Sequence, residues 1–210
     1  MAVLVDLYKK YNTVTDWSAL AKAVSGAYIK YSDGTAGAQV PADAYVSACR
    51  SHGLPYGGYH FAQPGDPAGQ ADVLIAQYRR LDGALAPVLD LESGGIAVRD
   101  RTPFARAFLE RVHRTYPTVV LYASGSWLAA LKPGSWPYPW DRTWCAEYGV
   151  NDGTRHPVRA YSGPVDLHQY TSTGRVPGVA GGVDLSWTGT LAALLLAPPV
   201  SADHIHGEDT

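Results

Sequence analysis

With 210 residues, 46% of them hydrophobic and 17% charged, the chain has the composition of one globular domain with a filled core, which excludes a disordered or fibrous protein. A formal net charge of -2 and the lack of any Lys- or Arg-rich run exclude the electrostatic footprint of a nucleic-acid partner or an anionic membrane surface. No apolar run reaches the roughly 18 residues of a membrane helix; the nearest is LAALLLA at 191–197.

The N-terminal MAVLVDLYKKYN holds an acid inside its apolar stretch and lacks the basic flank and small-residue cleavage site of an export signal. It is read as a strand, Ala2–Tyr8, of a protein made in the cytoplasm. Further strands are expected at Ala27–Ser32, Tyr56–Ala62, Pro87–Glu92, Val119–Ser124, Thr143–Tyr148, Asp166–Ser172 and Val183–Trp187. Longer helical patterns separate them, so the expected class is α/β, a parallel sheet closed into a barrel. Two helix starts carry an N-cap acceptor followed by proline, Asp66 before Pro67 and Thr102 before Pro103. Behind them run apolar stripes, Ala71, Leu74, Ile75 and Tyr78 in the first and Phe104, Phe108 and Val112 in the second. KPGSWPYPWD before Arg142 is too rich in proline and glycine for a helix, so loops are expected to join the later strands and make the barrel irregular. Cys49 on a helical face and Cys145 inside a strand are expected to be two buried free thiols. Residues 1–197 form the expected domain, with 198–210, including His204 and His206, as a flexible tail.

In a barrel of this kind the working residues sit where strands end. Nearly every expected strand end bears a polar group: Asp6, Lys30 with Asp33, His60, Asp90 with Glu92, Tyr122, Glu147, Gln169 and Asp184. In APVLDLES, side chains two apart share a face, so Asp90 and Glu92 point the same way with Cα atoms roughly 6.6 Å apart. Two desolvated carboxyls so close cannot both ionise comfortably, and one keeps its proton. Glycoside hydrolysis needs an acid for the departing oxygen and an anion beside the positive anomeric centre. Asp6 and Asp184 lie near the barrel's opening and closing seam and are expected to join the pair. Six tryptophans and fourteen tyrosines exceed the needs of a small core. Among the tyrosines, Tyr59, Tyr122, Tyr148 and Tyr170 stand at strand ends where rings can stack on sugars. His60 could orient a carboxylate or hold a purely structural hydrogen bond. No metal-ligand spacing, P-loop or GxSxG motif is present, and no cofactor is expected.

These pieces resemble one family, the lysozymes of glycoside hydrolase family 25, found in phage endolysins and bacterial autolysins. The resemblance runs from VDLYKKYNTVTDW through YIKYSDG, YGGYHFAQP, PVLDLE, VVLYAS and WCAEY to HQYTSTGRVPGVAGGVDLSW, which ends at Trp187. It implies an irregular TIM-like (β/α)5(β)3 barrel cleaving the β-1,4 bond between N-acetylmuramic acid and N-acetylglucosamine in bacterial peptidoglycan, with retention. It also implies Glu92 as general acid/base and Asp90 as its partner, with Asp6 and Asp184 completing the acidic floor. The expected substrate-binding residues are Tyr59, His60, Lys30, Asp33, Tyr122, Tyr148, Gln169 and Tyr170. Asp33, Tyr8, His168 and Ser186 depart from the residues common in the family, which bears on subsite shape and glycan preference. Two other classes compete with this reading. A non-catalytic sugar-binding barrel would have no use for the Asp90 and Glu92 pair, and a metal-dependent amidase would need a ligand set that the scattered histidines do not supply. The expected partner is cell-wall peptidoglycan, engaged by a monomer.

Overall fold

The computed structural model describes residues 1–35, 40–136 and 142–196. Its strands are β1 (Ala2–Leu7), β2 (Thr13–Val14), β3 (Gly26–Asp33), β4 (Tyr56–Phe61), β5 (Val88–Asp90), β6 (Val120–Ser124), β7 (Arg142–Ala146), β8 (Leu167–Gly174), β9 (Val179–Ala180) and β10 (Val183–Thr188). The helices are α1 (Trp17–Ala23), α2 (Asp43–Ser51), α3 (Pro67–Leu81), α4 (Val98–His113) and α5 (Gly125–Leu131). Eight strands close into a barrel in the order β1-β10-β8-β7-β6-β5-β4-β3. Five strand-then-helix units come first and three strands follow without helices between them, which is the (β/α)5(β)3 arrangement.

One strand corrects the expectation of a parallel sheet. β10 runs antiparallel to both β8 and β1. The cause is connection length, because a parallel neighbour needs a crossover of about a dozen residues or more. The segment between β8 and β10 is shorter and forms β9, which pairs with β2 outside the barrel. Reversal of β10 brings its N-terminal end, with Asp184, to the same rim as the C-terminal ends of the other strands.

Period-two alternation sorts each strand into an inner and an outer face. Leu4, Tyr28, Tyr59, Val88, Val120, Trp144 and Leu167 pack inside the barrel. Val5, Ile29, Leu89, Leu121 and Cys145 face out, where the helices cover them. α3 begins as its sequence indicates, with Pro67 in the first turn and the Asp66 carboxylate accepting from the Ala68 and Gly69 amides at 2.9 and 3.0 Å. Its buried stripe contains Ala71, Leu74, Ile75 and Tyr78. α4 buries Phe104, Phe108 and Val112 as expected, but Thr102 does not cap it. The helix starts at Val98 and leaves Pro103 inside, which removes one backbone bond from the ladder. Asp100 supplies the negative charge of its first turn instead. α5 follows β6 directly, with Ser124 as its N-cap, so this connection is helical before it reaches the Pro-Gly segment. Residues 137–141 of that segment, and the tail with His204 and His206, lie outside the described residues.

Cys49 and Cys145 are free and buried, and burial pushes both thiols up to about 12, so neither is a ready nucleophile. Among the described residues no helix is long and apolar enough to cross a membrane.

The β3–β4 contact depends on Gly58, where a Cβ would meet the Tyr31 ring at 2.0 Å. That ring is fully buried and pinned through its hydroxyl to the Asp82 carbonyl at 2.9 Å. Gly58→Ala is therefore expected to destabilise the fold by about 1–3 kcal/mol. A denaturant midpoint equal to that of the wild type would refute this tight approach.

Candidate active site

At the rim formed by the strand ends, the barrel interior changes from apolar to acidic and opens into a cavity of about 470 Å³. Asp6, Asp90, Glu92 and Asp184 line it together with Lys30, Tyr59, Tyr122 and Tyr148. Asp6 and Asp184 are direct partners across the β1–β10 seam. Asp90 ends β5, and Glu92 follows two residues later, past the last ladder position.

The two acids of the Asp-x-Glu pair have contrasting surroundings. Asp90 is only 6% exposed, and its Oδ1 has no hydrogen-bond partner among the described residues. Burial, then the charges of Glu92 and Asp6, push its carboxyl well above the usual range. Glu92 is exposed at the lip of the cavity. Its carboxyl is also raised by desolvation, while Lys30, and Tyr122 when its hydroxyl donates to the carboxylate, pull the other way. Burial followed by the Asp184 and Glu92 charges raises Asp6, and burial followed by Glu92 raises Asp184 to about 6. All four carboxyls of the mouth are thus shifted toward their protonated forms.

Lys30 is the cation among the lining residues. It is 7% exposed, lies over the rings of Tyr8 and Phe61 with centroids at 4.7 and 4.4 Å, and pairs with Asp33 at 2.6 Å. Burial would raise Asp33, but hydrogen bonds from Lys30 and Gln63 outweigh it and hold its carboxyl low. Asp33 thus fixes the lysine from behind and does not line the cavity.

Behind the tyrosines stands Gln169, 1% exposed. Its Oε1 accepts from Tyr122 at 2.9 Å and from Tyr148 at 2.6 Å, and its Nε2 approaches Asp6 Oδ2 at 3.4 Å. The Tyr59 hydroxyl is hydrogen-bonded to Asp6.

Besides Asp33, three expected binding residues lie off the cavity lining. His60 is fully buried on the outer face of β4, held between Ser32 at 2.7 Å and Gln70 at 3.0 Å. Burial lowers it to about 4, so it is a neutral structural histidine. Tyr170 points outward from β8, packed against the outer core and edge-on to His168. Gln169 lies behind the lining and does not touch the open cavity. Glu147 is also structural, accepting from the Arg159 and Ala160 amides. Conversely, Tyr8, Tyr11, Asn12, Phe61 and Ser172 line the cavity without having been anticipated as ligand contacts. For Tyr8, Tyr11 and Asn12 the available signal was the polar, aromatic YKKYN immediately after β1.

An acidic mouth at the strand ends of such a barrel fits the glycosidase chemistry the sequence suggested, and comparison with known proteins decides its family. The family model for glycosyl hydrolases family 25 matches residues 5–179. The chain belongs to glycosyl hydrolases family 25. Lysozyme M1 of Streptomyces globisporus is 33% identical over 198 residues, covering 87% of this chain and 66% of the relative, so the chain spans just under two thirds of that protein. The catalytic domain of endolysin ply40 from bacteriophage P40 of Listeria monocytogenes superposes with a TM-score of 0.75 at 27% identity, over 92% of this chain and 95% of that one. The bacterial lysozyme from Streptomyces coelicolor gives a TM-score of 0.72 at 26% identity, over 92% and 94% of the two chains.

Proposed function

We propose that this chain is an N-acetylmuramidase that hydrolyses the β-1,4 bond between N-acetylmuramic acid and N-acetylglucosamine in peptidoglycan, with retention and assistance from the substrate's acetamido group. The observation that carries the reading is the unequal Asp-x-Glu pair, a buried Asp90 beside an exposed Glu92 in one acidic cavity. Family 25 membership and the lysozyme named among the relatives support the bond assignment.

The pair shares one proton as a coupled unit. Deeper burial favours the protonated form of Asp90. An acetamido N–H donated to Asp90 stabilises the anion there and moves the proton to Glu92. Glu92 then protonates the departing oxygen, while the acetamido carbonyl oxygen attacks the anomeric carbon and forms a cyclic oxazolinium ion. Asp90 stabilises the positive charge on its nitrogen. Water, deprotonated by Glu92, opens the ring from the opposite side, and the two inversions retain the β configuration. The lining tyrosines Tyr8, Tyr11 and Tyr148 supply aromatic surface for the sugar, and Lys30 limits the mutual repulsion of the acids.

Mass spectrometry of fragments released from purified peptidoglycan tests the proposal. New reducing ends on muramic acid are expected. Reducing glucosamine ends, free stem peptides, or binding without release would each reject it, the last in favour of a sugar-binding barrel.

Asp6→Asn and Asp184→Asn are each expected to lower turnover substantially while leaving the fold intact. For Asp184 the stability effect has a definite sign. Its folded value of about 6 lies above the ordinary value of about 4, so the penalty on the native state builds as pH rises from about 4 and is complete above about 6. Asp184→Asn should thus stabilise the fold at pH 7, by on the order of 1 kcal/mol after allowance for partial solvation, and the gain should vanish below about pH 4. Thermal unfolding at the two pH values measures it, and destabilisation at pH 7 would contradict this account of the mouth.

A further inference from the structure

Tyr122 lies within reach of two acceptors but has only one proton. Its Oη is 2.9 Å from Gln169 Oε1 and 3.4 Å from Glu92 Oε2. A phenol donates once and accepts through its lone pairs, so it cannot serve both as donor. The shorter contact lies at the usual O–H···O distance, and the longer is at the outer limit. The amide orientation of Gln169 is set independently: Oε1 meets the Tyr148 hydroxyl at 2.6 Å, while Nε2 faces the Asp6 carboxyl. A flipped amide would set its oxygen against Asp6 and its donors against two phenols.

We propose that Gln169 is a positioning residue: by holding the Tyr122 proton, it turns the phenol's lone pairs toward Glu92, so that Glu92 makes this hydrogen bond only while it is protonated. The inference rests on the reading of Glu92 as the acid, and it adds the groups that keep that acid loaded. Gln169 touches no substrate, being 1% exposed behind the cavity wall. Its effect passes through Tyr122. The same glutamine links Glu92 to the seam, because the side of the amide facing Tyr122 depends on the group facing Asp6.

Lys30 on β3, Asp90 on β5, Asp6 on β1, Asp184 on β10 and Tyr148 after β7 also face this acid. They remain in every variant compared below, so their contributions largely cancel. Without Gln169, Tyr122 is free to donate to the Glu92 carboxylate, which stabilises the ionised form. With Tyr122 removed as well, the loss of Gln169 reaches Glu92 only indirectly, through Asp6 and Tyr148, and its effect shrinks.

The test is carboxyl-carbon NMR titration of Glu92 in substrate-free protein, together with the basic limb of kcat/KM on soluble glycan. Gln169→Met, close in volume, should lower the Glu92 midpoint by about one pH unit, a tenfold loss of protonated acid above it. The basic limb should move down with it, and KM should change little. In the Tyr122→Phe background the same substitution should move the midpoint by much less. An unmoved midpoint in Gln169→Met, or an equal fall in the Tyr122→Phe background, overturns the proposal. Should Gln169→Met fail to fold, Tyr122→Phe alone decides by sign. The proposal requires the Glu92 midpoint to fall or stay, because its protonated form loses an acceptor, whereas a rise shows that the phenol was donating to the anion. A Glu92 titration that shifts as stated while the basic limb stays fixed supports the relay and rejects Glu92 as the acid.

Discussion

Glu92→Gln is expected to lower kcat by about 10²–10⁴-fold while glycan binding survives. The amide keeps the size of the side chain but has no proton to give to a departing sugar oxygen and no carboxylate to take one from water. Exposure at the lip of the cavity makes Glu92 the member of the pair able to reach a glycosidic oxygen and exchange with solvent. Binding depends on the tyrosines and the walls, which this change leaves in place. Turnover of soluble glycan paired with calorimetric binding of the same oligosaccharide separates the two effects. A variant with more than a tenth of wild-type kcat would remove Glu92 from the role of acid.

Asp90→Asn should lower kcat by about 10²–10³-fold, in line with the loss of one electrostatic stabiliser of a developing charge, yet leave the stereochemistry unchanged. The substituted amide would still accept an acetamido N–H through its carbonyl, but it brings no negative charge to the oxazolinium nitrogen. Because the attacking atom belongs to the substrate, the β-anomer should still appear first in early-time NMR of the products. Initial release of the α-anomer, from either protein, would refute the acetamido-assisted scheme. Wild-type kcat in the variant would show instead that the buried acid is a passive part of the floor.

The Asp-x-Glu pair was legible because two simple rules apply at once: polar residues at strand ends point to the mouth, and residues two apart share a face. The same parity rule explains the errors. His60 follows the inward Tyr59, and Tyr170 follows the inward Gln169, so each faces the outer core. Being near a strand end was not enough; the position also had to fall on the inner face. Tyr8, Tyr11 and Asn12 could not be located by any periodicity, because they belong to a loop held by local bonds such as Tyr8 N–H to Asn12 Oδ1 at 2.7 Å. The start of α4 was hidden because Pro103 is equally compatible with a first turn and with an interior position that gives up a bond. The reversed strand was visible only as a shortage of chain between β8 and β10.

That reversed strand ties catalysis to the order in which the polypeptide is made. Asp6 emerges first and its partner Asp184 among the last of the described strands, so the acidic mouth is incomplete until β10 has been synthesised and slotted between β1 and β8. Any nascent or truncated product that stops short of β10 leaves the edges of β1 and β8 unpaired, inviting aggregation or proteolysis. The wall-cutting chemistry proposed here therefore arrives late in biogenesis, through strand closure itself.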